Sequence, residues 1–245
     1  MVSHIVGMSG GKDSTALGVR LNEVEPRDYE WVMTPTGDEL PEMYDHWNQL
    51  SQILGKPLTV LTSGRSLSGL IREQNTLPSW RMRWCTRMLK LEPYKAYLAN
   101  KVPVISYVGL RADEDVDDRT GMVLSEGTGI TTRFPLREWG WGIGEVLGYL
   151  EEKGITIPER TDCARCFFQR LPEWWRLYRD HPDLYEDACA QEAATGHTFR
   201  SPGRDTQPAA LTDLRAKFDR GYIPKGAAQL NLMDTRKTMC RACSL

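Results

Sequence analysis

Ile5-Val6-Gly7-Met8-Ser9-Gly10-Gly11-Lys12-Asp13-Ser14-Thr15 is the stretch that decides the fold of this chain. Its first residues are apolar, the next are small, and a helical pattern then runs from about Asp13 through Leu21. A short apolar run ended by glycine and serine reads as a buried strand. Gly10 and Gly11 permit a sharp turn and a close backbone approach to a ligand, because no side chain intervenes. Amides at the N-terminus of the following helix converge and favour an anion. Ser9, Ser14 and Thr15 add hydroxyl donors, and Lys12 adds positive charge. A glycine-containing turn with a Ser/Asp cap is the plainer account of such a stretch. The residues Ser9 to Ser14 together, set between a strand and a helix, point instead to a phosphate-cradling loop. The spacing differs from the G-x-x-x-x-G-K-[ST] loop.

Outward from this loop, strands and helices alternate. Trp31–Met33 reads as a strand that ends at Pro35-Thr36-Gly37, and a helix follows from Pro41 to Leu54, stopped by Gly55. Leu58–Leu61 is a third strand, Leu67–Glu73 a helix, and Thr86–Asn100 a helix expected to kink at Pro93. Val104–Val108 is the clearest strand, and Gly142–Lys153 is a helix closed by Gly154. This order predicts an α/β fold, a parallel sheet with helices on both faces. From Pro158 onward strand signals stop and the chain is helical and aromatic, with Trp174, Trp175, Tyr178 and Tyr185. The expected division is a nucleotide-binding core over 1–157 and a helical, cysteine-bearing region over 158–245.

A net charge of −2 argues against a dedicated nucleic-acid binder, although Arg81, Arg83, Arg87, Lys90 and Lys95 concentrate positive charge in one segment. A solvated helix face is the plainer account of that segment. No run approaches the roughly 20 apolar residues of a membrane span. The first residues lack a basic segment followed by a long apolar one, so a cytoplasmic location is expected, where thiols stay reduced. Four of the six cysteines form two C-x-x-C pairs, Cys163/Cys166 and Cys240/Cys243. Two such pairs suit a tetrahedral zinc site or an iron–sulfur cluster.

Five segments in order resemble the PP-loop superfamily, and within it the phosphoadenosine phosphosulfate (PAPS) reductase-like family. Ser9–Ser14 is similar to the S-G-G-x-D-S loop, and Thr36-Gly37-Asp38-Glu39-Leu40-Pro41 to T-G-x-E-x-P, with Pro35 where an Asp often stands. Arg83-Trp84-Cys85-Thr86 with Leu89-Lys90 and Pro93 resembles R-x-C-T…L-K…P. Gly109-Leu110-Arg111-Ala112-Asp113-Glu114 with Arg119 resembles G-x-R-x-x-E…R, and Pro135–Trp139 resembles P-L-x-x-W. The resemblance implies an adenine nucleotide alpha hydrolase-like fold.

It also implies that Ser9, Gly10, Gly11, Lys12, Asp13, Ser14, Thr15, Thr36, Gly37, Asp38, Glu39, Gly109 and Arg111 meet ATP, or PAPS or its unphosphorylated analogue APS. Lys12, Arg111 and Arg119 are the candidate cations for developing phosphoryl charge, and Asp13 or Asp38 the candidate Mg²⁺ carboxylate. Cys163, Cys166, Cys240 and Cys243 are the candidate ligands of a 4Fe-4S cluster or Zn²⁺, with Cys85 a catalytic cysteine or a third ligand beside Cys163 and Cys166. Two activities fit. One is adenylation of an acceptor, tRNA or DNA among them, with pyrophosphate release and sulfur passed from a donor through the metal centre. The other is sulfonucleotide reduction by Cys243 with a thioredoxin-like reductant. A nucleotide-binding module with structural zinc is the non-enzymatic reading, and a homodimer is compatible with all three.

Overall fold

The computed structural model describes residues 1–114 and 128–227. Five strands form one parallel sheet: β1 (Ser3–Gly7), β2 (Tyr29–Met33), β3 (Thr59–Val60), β4 (Val104–Tyr107) and β5 (Ile130–Arg133), in the order β3-β2-β1-β4-β5. Register is fixed by pairings such as Val6 with Trp31 on one side and Val6 with Tyr107 on the other. Successive strand residues face opposite sides. Ile5 and Val6 are both fully buried, so both faces of the sheet are covered, as a parallel sheet requires.

On one face lie α1 (Lys12–Val24), α2 (Pro41–Ile53) and α7 (Ile143–Glu152), whose Leu17, Met43, Leu50 and Val146 pack on Val6, Trp31 and Tyr107. On the other, Tyr94 and Leu98 of α5 (Glu92–Ala99) pack on Ile5, Val32 and Val104. The chain reaches α5 through α3 (Leu67–Gln74), the single turn α4 (Trp84–Thr86) and a wide π turn over Arg87–Leu91. The expected kink at Pro93 is resolved by that π turn. Proline has no N–H and its ring crowds the preceding carbonyls, and the widened turn lets Glu92 N–H reach Arg87 O instead. A short helix, α6 (Pro135–Glu138), leads into α7.

The remaining helices, α8 (Leu171–Asp180), α9 (Pro182–Thr195) and α10 (Leu211–Asp219), build their own core. Trp174, Tyr185, Phe199 and Phe218 pack there with Leu70 of α3, Cys85 of α4 and Leu89. Buried Glu192 ties the layer together, accepting Phe199 N–H at 2.8 Å and Leu211 N–H at 2.7 Å. No helix among the described residues is long and apolar enough to cross a membrane.

One strand escapes the sequence signals. The Ile-Thr-Thr-Arg run of β5 is polar and lies at the sheet edge, half-exposed, so it lacks the apolar character of the inner strands.

Candidate active site

Strand order reverses between β1 and β4, and ligands of open parallel sheets bind beyond the strand ends at such a point. The loop Met8–Gly11 leaves β1 there. Gly10 has φ +81°, and a Cβ on it would lie 2.6 Å from Trp47 Nε1 and 3.0 Å from Met43 Cε. Only glycine meets both demands. Helix α2 braces the loop from beneath: His46 Nε2–H donates to Gly10 O at 2.9 Å and Trp47 Nε1–H to Ser9 O at 3.3 Å. Burial pulls the His46 pKa down, against the opposing effect of its bond to Gly10. The sequence reading does not include His46, since nothing local marks it.

Within the loop, Ser9 Oγ and Ser14 Oγ are 3.0 Å apart, Gly11 N–H donates to Ser9 Oγ at 3.3 Å, and Ser14 Oγ donates to Gly11 O at 3.1 Å. Gly11 caps α1 and offers no side-chain acceptor, which leaves the first amides of the helix facing the space where an anion would sit. Thr15 Oγ1 is buried with no hydrogen-bond partner among the described residues.

The segment after β4 packs against the same helix start. A Cβ on Gly109 would stand 3.1 Å from Ser14 N and 3.2 Å from the Asp13 carbonyl carbon. Arg111, almost fully buried, reaches Asp13 Oδ2 at 2.9 Å, Asp113 Oδ1 at 2.8 Å and Glu114 Oε1 at 3.3 Å. Burial works against its charge, but Asp13 and Glu114 outweigh that and raise its pKa. Arg111 therefore holds Asp13 and the strand ends together, and three carboxylates compensate its charge. Lys12 Nζ lies 3.9 Å from Asp13 Oδ2. Arg119 lies outside the described residues.

The turn after β2 closes on itself. Glu39 accepts Thr36 N–H at 2.6 Å, Thr36 Oγ1–H at 2.7 Å and Gly37 N–H at 2.9 Å, and Gly37 sits at φ +76°. Asp38 is buried, accepts Ser68 N–H at 2.8 Å and Ser68 Oγ–H at 2.7 Å, and pairs with Arg165. Both Asp38 oxygens are thereby occupied, whereas Asp13 Oδ1 is buried without a hydrogen-bond partner among the described residues.

The loop that carries Cys163 and Cys166 lies across both turns. Ala164 N–H donates to Asp38 O at 2.7 Å, and Cys163 bridges Glu39. Thr161 Oγ1 is 3.4 Å from the position of a Cβ on Gly11. Buried arginines fix the loop: Arg160 donates to Cys163 O at 3.0 Å, and Arg165 donates to Ser68 Oγ at 2.8 Å besides its pair with Asp38. Arg165 carries no signal in the sequence, since an arginine inside a C-x-x-C reads as exposed until its partners 97 and 127 positions away are known.

Cys85, Cys163 and Cys166 line one small cavity with Thr36, Thr86, Lys90 and Phe167. The Cys166 thiol is hydrogen-bonded to Cys163, which with burial raises its pKa. Burial, then the neighbouring Cys163, pushes Cys85 up to about 11. Among the described residues, no group of three His, Cys, Asp or Glu side chains is arranged to hold a metal ion. Cys240 and Cys243 lie outside the described residues, and Cys189 is buried on α9 in the helical core.

The family model of the phosphoadenosine phosphosulfate reductase domain matches residues 3–160. The chain belongs to that family. This reductase-domain chain is also similar to two proteins of Methanocaldococcus jannaschii, uncharacterized protein MJ0066 and uncharacterized protein MJ0973. It is 26% identical to the first over 74% of this chain and 40% of that protein, and 28% identical to the second over 72% and 44%. It thus spans less than half the length of these curated relatives. Among solved structures, the phosphate complex of phosphoadenylyl-sulfate (PAPS) reductase from Candida auris superposes with a TM-score of 0.50 at 16% identity. The match covers 65% of this chain and 76% of that one, a likeness of fold.

Proposed function

We propose that this chain binds ATP at the Ser9–Thr15 loop and activates an acceptor by adenylation, with sulfur passing through its cysteine centre. One observation carries the reading: the cysteine loop rests on the phosphate loop at Gly11 and on the Thr36–Glu39 turn at Asp38, so anion-binding amides and buried thiols share one site. An acceptor oxygen attacks the α-phosphorus, the bond to the β-phosphate breaks, and pyrophosphate leaves. Sulfide-level sulfur from a donor then attacks the acceptor atom that bears the adenylated oxygen, its bond to that oxygen breaks, and AMP leaves. The α1 amides, the Ser9 and Ser14 hydroxyls and Lys12 stabilise the departing charge. Arg111 positions Asp13. Asp13, whose Oδ1 has no hydrogen-bond partner among the described residues, suits Mg²⁺ better than Asp38, and Mg²⁺ typically takes one or two carboxylates plus phosphate oxygens. Bound there, Mg²⁺ would neutralise phosphate charge.

For the thiol centre, Cys85, Cys163 and Cys166 offer soft donors around one cavity, and the full set needs Cys240 or Cys243. This chemistry fits zinc or an iron–sulfur cluster, which would accept or deliver sulfur, or close the region structurally.

The family match favours a second reading, reduction of PAPS or APS to sulfite; Cys243 would then be the nucleophile and a thioredoxin-like protein the reductant. Oxygen-free purified protein is to be assayed with Mg·ATP for AMP and pyrophosphate, and with PAPS or APS plus a dithiol for sulfite. Adenylation predicts that a nucleic-acid or sulfur acceptor stimulates pyrophosphate release and that no sulfite forms. Sulfite without pyrophosphate would replace it by the reductase, and ATP binding without any product would leave a nucleotide-binding module.

A further inference from the structure

Outside the nucleotide and thiol residues, one turn carries unusual chemistry. Ser79 and Met82 exchange backbone hydrogen bonds, N–H to O at 3.2 Å and 3.1 Å, and Met82 N–H also meets Ser79 Oγ at 3.2 Å. They close a tight turn with Trp80 and Arg81 at its tip. Turn tips favour Gly, Asn, Asp, Pro and Ser. Here Trp80 is 59% exposed and Met82 50% exposed, and the Arg81 guanidinium lies over the Trp80 ring at 4.6 Å from its centroid. An indole held out in water forfeits the stabilisation that burial would bring.

The turn is also well placed. Pro78 before it and Cys85, Thr86 and Lys90 after it all line the thiol cavity, so both ends of the projecting segment are anchored at the candidate active site. Residues 79–99 hold Arg81, Arg83, Arg87, Lys90 and Lys95 against one carboxylate, Glu92, in a chain of net charge −2. The Arg87–Glu92 pair spans 3.8 Å between largely exposed side chains and is weak in water.

We propose that this turn binds single-stranded nucleic acid, a base stacking on Trp80 while phosphates meet Arg81 and Arg87, and that the bound strand is the acceptor. An exposed ring among cations is the stacking platform that single strands use. A duplex hides its base faces, and an acidic protein would need the cations but not the exposed indole. The binding stands on the turn alone; its role as acceptor site rests on the adenylation reading.

The test is fluorescence anisotropy with labelled single-stranded DNA and RNA of about 12 nucleotides, the matching duplexes and polyglutamate, against the full chain and its W80A and R81Q/R87Q variants. All three side chains are exposed, and thermal melts check that the fold is unchanged. W80A is expected to weaken single-strand binding about tenfold. R81Q/R87Q is expected to flatten the slope of log affinity against log salt by roughly 0.7 for each phosphate no longer neutralised. Calorimetric ATP affinity is expected to stay the same in both variants. Equal affinity for duplex or polyglutamate, no response to W80A, or a parallel loss of ATP affinity would each overturn the proposal. The last would place Trp80 in the nucleotide site. Strand binding that persists while pyrophosphate release is absent would keep the surface and remove the adenylation reading.

Discussion

The phosphate loop and the cysteine loop meet at Gly11 and Thr161, yet the turns themselves are shaped by different means. The first is shaped by glycine geometry and short neutral bonds, among them Gly10 at φ +81° and Trp47 on Ser9. The second is pinned by buried charge, Arg165 on Asp38 and Arg160 on the Cys163 carbonyl. The turn of the phosphate loop is set by glycine conformation, and His46, Trp47 and the Arg111–Asp13 pair then hold it in place. The cysteine loop, pinned by the distant Arg165–Asp38 pair, exists only when the whole layer is assembled.

The largest effect that follows is on the charged side. Arg165→Met strands the buried Asp38 carboxylate, and breaking a buried pair in this way costs about 3–5 kcal/mol. Denaturant unfolding should show that loss, and Asp38→Asn added to Arg165→Met should recover much of it. A cost within about 0.5 kcal/mol, the level of an ordinary surface change, would mean that the pair does not pin the loop.

On the other side, Gly10→Ala forces a side chain into the left-handed region and against Trp47. The backbone strain alone is about 1–3 kcal/mol, and ATP affinity should vanish while the cysteine loop keeps its protection in hydrogen exchange. Loss of protection in both loops together would erase the contrast between them. Trp47→Phe removes one hydrogen bond to Ser9 O and should cost about 1 kcal/mol, with ATP affinity falling in step.

The smallest effect separates the regions by pH. His46, beneath the phosphate loop, has a folded pKa below its usual 6.5. Its contribution is whole above that value and is lost as pH falls, because the unfolded chain takes up the proton first. Glu192, in the helical layer, is raised from 4.5 to about 7, chiefly by burial. Its contribution is whole below 4.5 and is lost as pH rises toward 7. The two oppose each other over the window between. Glu192→Gln should leave a stability that rises more steeply with pH through it, and His46→Gln one that rises less. Parallel profiles for both variants would contradict the assignment.

Legibility in the sequence follows the same division. The phosphate loop, the inner strands and α2 are readable because apolar runs, glycines and Pro41 act within a few residues. β5 is not, since Thr131 and Thr132 at an exposed edge carry no apolar signal. Pro93 announces a kink but not the π turn that precedes it. Family resemblance, not spacing, brings Cys85 toward Cys163 and Cys166, and the structure lines one cavity with all three. Arg165 and His46 give no signal, because what makes them structural is a partner far along the chain, and Arg160 gives none because its burial against the Cys163 carbonyl is set by the fold. The resemblance assigns Arg111 to phosphate, and the structure adds what the sequence does not announce, its ion pairs with Asp13, Asp113 and Glu114.

Calorimetric titration of the chain with Mg·ATP and, separately, with adenosine 3′,5′-bisphosphate tests the central claim most directly. Saturable ATP binding that Gly10→Ala abolishes, together with weaker binding of the bisphosphate, is the result predicted for an ATP-dependent site on the Ser9–Thr15 loop. Tight bisphosphate binding with no heat from ATP would contradict it and identify the loop as a sulfonucleotide site.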